Sequence, residues 1–459
     1  MNKDLMNENK LNFGEFIYSL VNDFYSNYIL KSSKPQENQW TIISSIIMEN
    51  NNNYKIICFS NGTKSLPNIN YKSRIFQIFD CHSEILTLRC FKFFLLNTLC
   101  FHLDKENENN YLTKDEYALF KANEEFYDIF DYNQKNKKFY IKKGINFHLY
   151  ISENPCGECS NILYNINKQQ NLKEMTGSKT LEECLDIINK KNTSNKTNNT
   201  NNNNINQINK EINNCKKYYF RSKSIRSDFK VNNLSFSLSC TDKIMLRNIL
   251  GYQGKYLSFF VGPIFIKSLI INSSLDNNQD NIDLFKNCID YKKRNEINNK
   301  DNNGYNIPDI YFVNHKDEDI LFKGSFKNDK NSLSFSTYWY FPNSIKKVDP
   351  SNGIKTGGNI KEIDKLDFLR VKISNYDLCQ NIFKILINNK KIFSKYIKKI
   401  EKYIINNNIK NDLDYCDVIS SLINDNYVNV KDNIINENNE VKEFIGKKRE
   451  ILKNCKKRK

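Results

Sequence analysis

Apolar residues recur between Asn12 and Leu30 at helical spacing, at Phe13, Phe16, Ile17, Leu20, Val21 and Phe24, and predict an amphipathic helix that opens the fold. The period then changes. Thr41 to Glu49 and Tyr54 to Ser60 are rich in β-branched and aromatic residues, and the run Asn50 to Asn53 between them predicts a hairpin turn. Glu84 to Leu99 reads as a buried helix whose first turn carries His82 and Glu84. Lys138 to Ile151 ends in an apolar strand, Phe147 to Ile151, and Pro155 beside Cys156 suits the first turn of another helix. Tyr256 to Ile271, broken by Gly262, Pro263 and Lys267, reads as two buried strands around a turn. Asp309 to Val313 is strand-like, and helical patterning returns at Ser374 to Ile405 and Asp414 to Val430.

Polar tracts interrupt this alternation. Residues 189–214 are Asn/Lys/Thr-rich with almost no apolar content, so they bury too little surface to offset their ordering entropy and are expected to be a disordered insertion. Residues 273–305 are expected to be a second polar, disordered insertion. No internal repeat is evident. Strands alternating with helices imply an α/β layered fold in which helices cover a sheet, taken as one domain over residues 12–459.

Composition narrows the partners. A formal net charge of +17 and a pI near 9.1 favour a polyanion, with nucleic acid the commonest choice, although part of the excess sits in the polar tracts and in the tail Lys456 to Lys459. Thirteen irregularly spaced cysteines fit a disulfide framework poorly and a reducing compartment well. Residues 1–12 are polar, without a cleavable signal, and no apolar run is expected to reach the length needed to cross a bilayer. An intracellular protein of nucleus or cytoplasm is expected, acting as a monomer without membrane or DNA partners.

The chemistry is concentrated in His82-Ser83-Glu84, because a His-x-Glu pair can supply a zinc ligand and a proton shuttle. Such a pair occurs often by chance, and cysteines must complete it. Pro155-Cys156-Gly157-Glu158-Cys159 and Ser239-Cys240-Thr241-Asp242-Lys243 lie downstream. Three protein ligands leave a fourth position for water, whose pKa zinc lowers from 15.7 toward about 7. His82 and Cys156 are then ligands, and Glu84 stays off the metal to move protons to the ring nitrogen and to departing ammonia. The spacing leaves two choices for the third ligand. Cys159 stands one helical turn from Cys156, whereas Cys240 is remote but lies in a specialised segment.

Three blocks together resemble the eukaryotic adenosine deaminases that act on RNA and tRNA. They are Asp80 to Ile85, Phe147 to Ser152 leading into Pro155-Cys156-Gly157, and Ser239 to Ile244 running on to Leu250-Gly251-Tyr252-Gln253-Gly254. The resemblance implies a cytidine-deaminase-like three-layer α/β/α sandwich with a mixed sheet, extended by a C-terminal region of helices and strands. It implies zinc on His82, Cys156 and Cys240, with Glu84 catalytic, and so prefers Cys240 over Cys159. It further implies a buried inositol hexakisphosphate touching Arg89, Lys243, Gly254, Tyr427, Lys431 and Lys447. Asp80 and Lys223 would form a polar relay from that phosphate to the metal. Phe79, Leu88, Leu246 and Phe444 depart from the family pattern and remove some phosphate contacts. Thr63 and Lys64 match a loop that meets the target nucleotide. Ser160 stands where the RNA-editing members carry arginine, and the pattern begins within the first turns of the chain, leaving no room ahead of it for double-stranded-RNA-binding domains. The implied activity is therefore adenosine-to-inosine deamination of tRNA, at position 37 of alanine tRNA. The rivals are editing of messenger or other structured RNA, and a non-catalytic, zinc-containing RNA-binding protein.

Overall fold

The computed structural model describes residues 13–36, 39–66, 76–107, 111–160, 178–180, 221–224, 234–294, 306–315, 331–359 and 370–389. In chain order the elements are helix α1 (Phe13–Tyr28), β1 (Gln39–Trp40), β2 (Ile43–Asn50), β3 (Asn53–Asn61), β4 (Thr63–Ser65), β5 (Asp80–His82) and α2 (Ser83–Asn107). Next come α3 (Lys114–Lys121), α4 (Glu124–Tyr127), β6 (Phe130–Asn133), β7 (Lys138–Ile141), β8 (Ile145–Ile151), β9 (Ser178–Thr180), β10 (Arg221–Ser224), β11 (Leu234–Leu238) and α5 (Cys240–Leu250). They are followed by β12 (Ser268–Asn272), α6 (Gln279–Ile289), β13 (Asp309–Val313), β14 (Asn331–Ser332), β15 (Ser336–Tyr340), β16 (Lys346–Asp349), β17 (Ile354–Lys355) and α7 (Asn375–Asn388).

Eight strands form one mixed sheet in the order β13-β12-β8-β2-β3-β15-β16-β17, parallel from β13 to β8 and antiparallel beyond. The hairpin between β2 and β3 turns on Asn51 and Asn52, with φ of 49° and 66°. Asparagine tolerates that left-handed conformation, which matches the twist of the strands. Side chains of β8 alternate between two helical layers: Phe147 meets Phe91 of α2 at 4.9 Å between ring centroids, while His148 meets Phe13 of α1 at 5.0 Å. The α1 face closes over Phe16, Ile17, Val21 and Tyr25 packed on Ile43, Ile47, Phe59 and Tyr150. This is the expected three-layer α/β/α arrangement, with helices on both faces because a sheet apolar on both sides must be covered twice.

Several elements differ from expectation. The 273–305 tract is not wholly irregular, since it contains α6, capped by the Asn278 side chain and buried at Phe285, Cys288 and Ile289. Those three, with Ile282, recur on one face and are diluted by polar residues on the other. The 189–214 tract lies outside the described residues, as do Asp414 to Val430 and the later part of the 374–405 helical pattern. Within 256–271 only β12 is a strand of the sheet. Gly262 and Phe260 instead exchange backbone hydrogen bonds with Phe139, and Pro263, lacking an N–H, suits this short bridge better than a ladder. Helix α2 is longer than expected, and its Ser83–Lys105 stretch is apolar and long enough to cross a bilayer, although 78% of that stretch is buried inside the fold. Contacts divide the chain into two compact units. One comprises 1–254 and 260–374; the other comprises 255–259 and 375–459 and contains α7.

Candidate active site

Strand β4 pairs with β5 so that Thr63 stands opposite His82, Lys64 opposite Cys81 and Ser65 opposite Asp80. His82 therefore closes a strand instead of opening α2. Gly62 fixes this junction: its φ is +148°, its N–H donates to the Ile42 carbonyl at 3.0 Å, and its carbonyl accepts from the Ser83 N–H at 2.9 Å. A Cβ at Gly62 would collide with the Cys81 carbonyl and the Ser336 side chain. Glu84, in the first turn of α2, is only 2% exposed, and the Ser83 hydroxyl donates to its Oε2 at 3.1 Å.

Cys156 follows β8, whose end is clamped where the Ile43 N–H donates to Ser152 Oγ at 2.9 Å. Pro155 and Cys156 do not open a helix; the helical residues 158–160 begin only after Gly157, whose φ of +113° interrupts the turn. Cys240 is the first residue of α5, where Ser239 caps by accepting the Asp242 N–H at 3.2 Å and donating to Asp242 Oδ2 at 2.7 Å. The two cysteine segments interlock. The Cys240 N–H donates to Cys156 Sγ at 3.3 Å, and the Thr241 N–H donates to the Cys156 carbonyl at 3.1 Å. A Cβ on Gly157 would lie 2.5 Å from Ser239 Oγ and 3.1 Å from Thr241 Oγ1, so glycine is the residue that lets the segments approach.

The ligand atoms of His82, Cys156 and Cys240 all lie within 4.8 Å of one another, and His82 Nδ1 is 3.6 Å from Cys240 Sγ. Zinc bonds of about 2.05 Å to nitrogen and 2.3 Å to sulfur at a tetrahedral angle span about 3.6 Å, so the donor set suits that metal. Among the described residues no other His/Cys/Asp/Glu group gathers this way. Cys159 stays outside it, fully buried with its N–H donating to Thr241 Oγ1 at 3.3 Å. The structure thus brings together the remote cysteine and not the adjacent one.

Beneath the cysteines runs a buried polar chain. Lys223, 1% exposed, donates to Cys240 Sγ at 3.0 Å and to Asp80 Oδ1 at 2.8 Å. Asp80 also accepts the His82 N–H at 3.1 Å, the Ser237 hydroxyl at 2.9 Å and the Lys243 ammonium. Burial opposes charge on both Asp80 and Lys223, yet the neighbouring ammonium groups hold the Asp80 carboxyl well below the usual range, and Asp80 with the two thiols holds Lys223 well above its own. The hydrogen bond with Cys240, followed by the charge of Lys223, pushes Cys156 toward thiolate, the form that binds a metal.

The sequence pattern of the adenosine-deaminase (editase) domain matches residues 58–404. The chain belongs to this family. It is a hydrolytic deaminase, 25% identical over 389 residues to tRNA-specific adenosine deaminase 1 of Schizosaccharomyces pombe, covering 81% of this chain and 86% of that protein. Over 256 residues it is 26% identical to tRNA-specific adenosine deaminase 1 of Saccharomyces cerevisiae, covering 53% of this chain and 54% of the relative. Double-stranded RNA-specific editase B2 of Mus musculus is 25% identical over 220 residues, 48% of this chain and only 25% of the editase.

In the deaminase, Arg89 lies on α2 and donates to the Ile373 carbonyl at 3.3 Å. Lys243 lies on α5, and Gly254, with φ of +72°, follows it. Sequence reasoning missed three participants. Ser237 joins Asp80 to Lys243, at 2.6 Å from the ammonium. Lys92 and Arg247 both crowd Gly254, whose absent Cβ would lie 2.9 Å from Lys92 Cε and 3.4 Å from Arg247 Nη1. The available signal was helical spacing, because Lys92 is three residues beyond Arg89 and Arg247 four beyond Lys243. Tyr427, Lys431 and Lys447 lie outside the described residues.

Proposed function

We propose that the chain converts adenosine to inosine in tRNA, next to the anticodon at position 37 of alanine tRNA, using zinc held by His82, Cys156 and Cys240. The observation that carries the catalytic part is the His/Cys/Cys donor set with buried Glu84 beside it. The tRNA part is supported by the extent of similarity, since the chain spans 86% of a tRNA-specific deaminase but a quarter of editase B2. Zinc in this donor set supplies a positive charge that acidifies water. Glu84 accepts a proton from the attacking water at a carboxylate oxygen and delivers it to adenine N1 as the C6–O bond forms. It then carries the proton of the new C6 hydroxyl to the amino nitrogen as the C6–N bond breaks and ammonia leaves. Ser83 orients that carboxylate, and Lys223, which donates to Cys240 Sγ, would neutralise the charge of that sulfur once it is bound to metal. Thr63 and Lys64, paired in register with β5, hold the target nucleotide. An unpaired anticodon-loop base costs less to present than one drawn from a duplex.

We also infer that the chain binds inositol hexakisphosphate, with Arg89, Lys243 and Gly254 as its contacts among the described residues. Arg89, Lys92, Lys243 and Arg247 supply cations from two helices, and Gly254 leaves the space between Lys92 and Arg247 that a side chain would fill. The bound polyanion would supply dense negative charge against these groups. Asp80, Lys223 and Ser237 would then link it to Cys240.

Purified protein should carry about one zinc per chain by analogy with other catalytic sites, release inositol hexakisphosphate on denaturation, and form inosine in unmodified alanine tRNA. Activity confined to duplex or messenger RNA, or to cytidine, overturns the substrate assignment. Zinc without phosphate overturns only the second cofactor.

A further inference from the structure

Lys31, Lys34 and Lys347 gather about the turn that follows α1. The 3-10 turn Lys31–Ser33 follows α1, and Lys347 of β16 donates to its Ser32 carbonyl at 2.8 Å. Lys34 donates to the Ser26 carbonyl at 3.0 Å and lies over the Tyr25 ring at 5.0 Å, while the Lys347 ammonium lies over the Phe335 ring at 4.4 Å. Lys31 is exposed and sits close enough to Lys34 that its charge, added to partial burial, lowers the Lys34 pKa. Among the described residues, none of these three lysines forms an ion pair. Beside them Tyr28 and Leu30 are 68% and 64% exposed, the two most exposed large apolar side chains described.

The turn is joined to the catalytic elements by a short series of bonds. Lys347, Thr337 and Asn61 share one rung of the sheet. Asn61 Nδ2 donates to the Ser33 carbonyl at 3.1 Å, and its Oδ1 accepts the Thr337 N–H at 2.7 Å. Gly62 comes next and holds Ser83, and Thr63 faces His82. Two residues of strand plus one strand pair put Asn61 within about 12 Å of His82, a separation of a few nucleotides at most. Three lysines without carboxylate partners among the described residues, two of which (Lys31 and Lys34) repel each other, are stabilised by a partner carrying closely spaced negative charges, and the exposed Tyr28 ring offers a stacking surface.

We propose that Lys31, Lys34 and Lys347, with Tyr28, form a landing platform for the phosphodiester backbone of the RNA substrate close to the reacting adenosine. The proposal rests on the RNA-deaminase reading above and adds where the strand runs. Phosphate contacts position the substrate without reading sequence, so the platform sets affinity and register and leaves the chemical step alone.

The test uses the full chain carrying Lys31→Ala, Lys34→Ala and Lys347→Ala together, compared with a charge-matched control at the exposed Lys114, Lys135 and Lys137. Binding to unmodified alanine tRNA is measured between 50 and 200 mM salt, alongside deamination kinetics and a thermal melt. The platform variant should show a slope of log K against log salt shallower by about 2, from about 0.7 per lost phosphate contact on a single strand. Its KM should rise with kcat within about twofold of wild type. Tyr28→Ala should weaken binding without changing the slope. A slope and KM equal to the control's overturn the platform, including the case in which the patch serves an acidic protein. If the wild-type chain neither binds nor deaminates RNA, the reading beneath the platform fails and both fall.

Discussion

Gly157→Ala tests whether the approach of the two cysteine segments sets the geometry of the site. Glycine there adopts φ of +113°, and an added Cβ would meet Ser239 Oγ at 2.5 Å. Ordinary contact begins at 3.4 Å, so Ser239 or Gly157 must retreat by about 0.9 Å. Both neighbours flank the proposed ligands: Cys156 precedes Gly157 and Cys240 follows Ser239. A displacement near 1 Å at reacting groups costs on the order of a hundredfold in rate. The left-handed backbone adds about 1–3 kcal/mol of strain for a residue with a side chain. Inosine formation should therefore fall about a hundredfold, with a reduced zinc content and a melting temperature lower by several degrees. Ser239→Ala in the same chain removes the nearest oxygen and should restore part of the loss. Full activity at wild-type zinc content in the single variant would refute the argument that this contact fixes the ligands.

Replacing Glu84 by Gln should lower inosine formation by at least about 10²–10⁴-fold while zinc content and tRNA affinity persist; turnover equal to wild type removes Glu84 from the mechanism. Cys240→Ser should lose zinc by elemental analysis and Cys159→Ser should keep it, and the reverse result would make the adjacent cysteine the ligand. Far from the site, Glu49 accepts hydrogen bonds from Tyr54, Asn146, His148 and Lys267, led by that from His148, and its pKa falls to about 2. A depressed carboxyl contributes stability that is complete above its ordinary pKa near 4.5 and is lost as pH falls toward 2. Burial lowers the pKa of His148 as well, so its protonation favours the unfolded chain as pH falls below about 6.5. Glu49→Gln should cost about 1–3 kcal/mol at pH 7 and flatten the acid limb between pH 4.5 and 2, measured by denaturant unfolding; an unchanged acid limb contradicts this account.

The elements that were legible in the sequence are those whose burial is one-sided or complete over a regular period. Phe13 to Phe24 and Phe147 to Ile151 are of this kind, and each forms the element its spacing predicts. Helix α6 was hidden because five apolar residues, one of them the exposed Leu284, among asparagine and aspartate look like an insertion until Phe285 is seen against Phe312. The placement of His82 on a strand was equally hidden, since it depends on pairing with Thr63 across residues 66–79. The choice between Cys159 and Cys240 could not follow from spacing, because a remote cysteine reaches the site only when β10, β11 and the Ser239 cap carry it there. Lys92 and Arg247 carried only their helical spacing from Arg89 and Lys243 as a signal, because nothing local says that two helices meet at Gly254.

Helix α2 has a consequence for the birth of the protein. Its apolar surface packs on β2, β3 and β15, and β3 finds β15 only through pairs such as Asn61 with Thr337. Residue 340 leaves the ribosome long after residue 105, a delay of about 12–50 s at 5–20 residues per second. Throughout that interval the part of the helix that packs on β15 lacks its cover, and an exposed apolar surface of this kind is one that chaperones recognise. Yield of active enzyme should therefore rise with chaperone supply during synthesis, and substitutions at the site should leave that dependence unchanged.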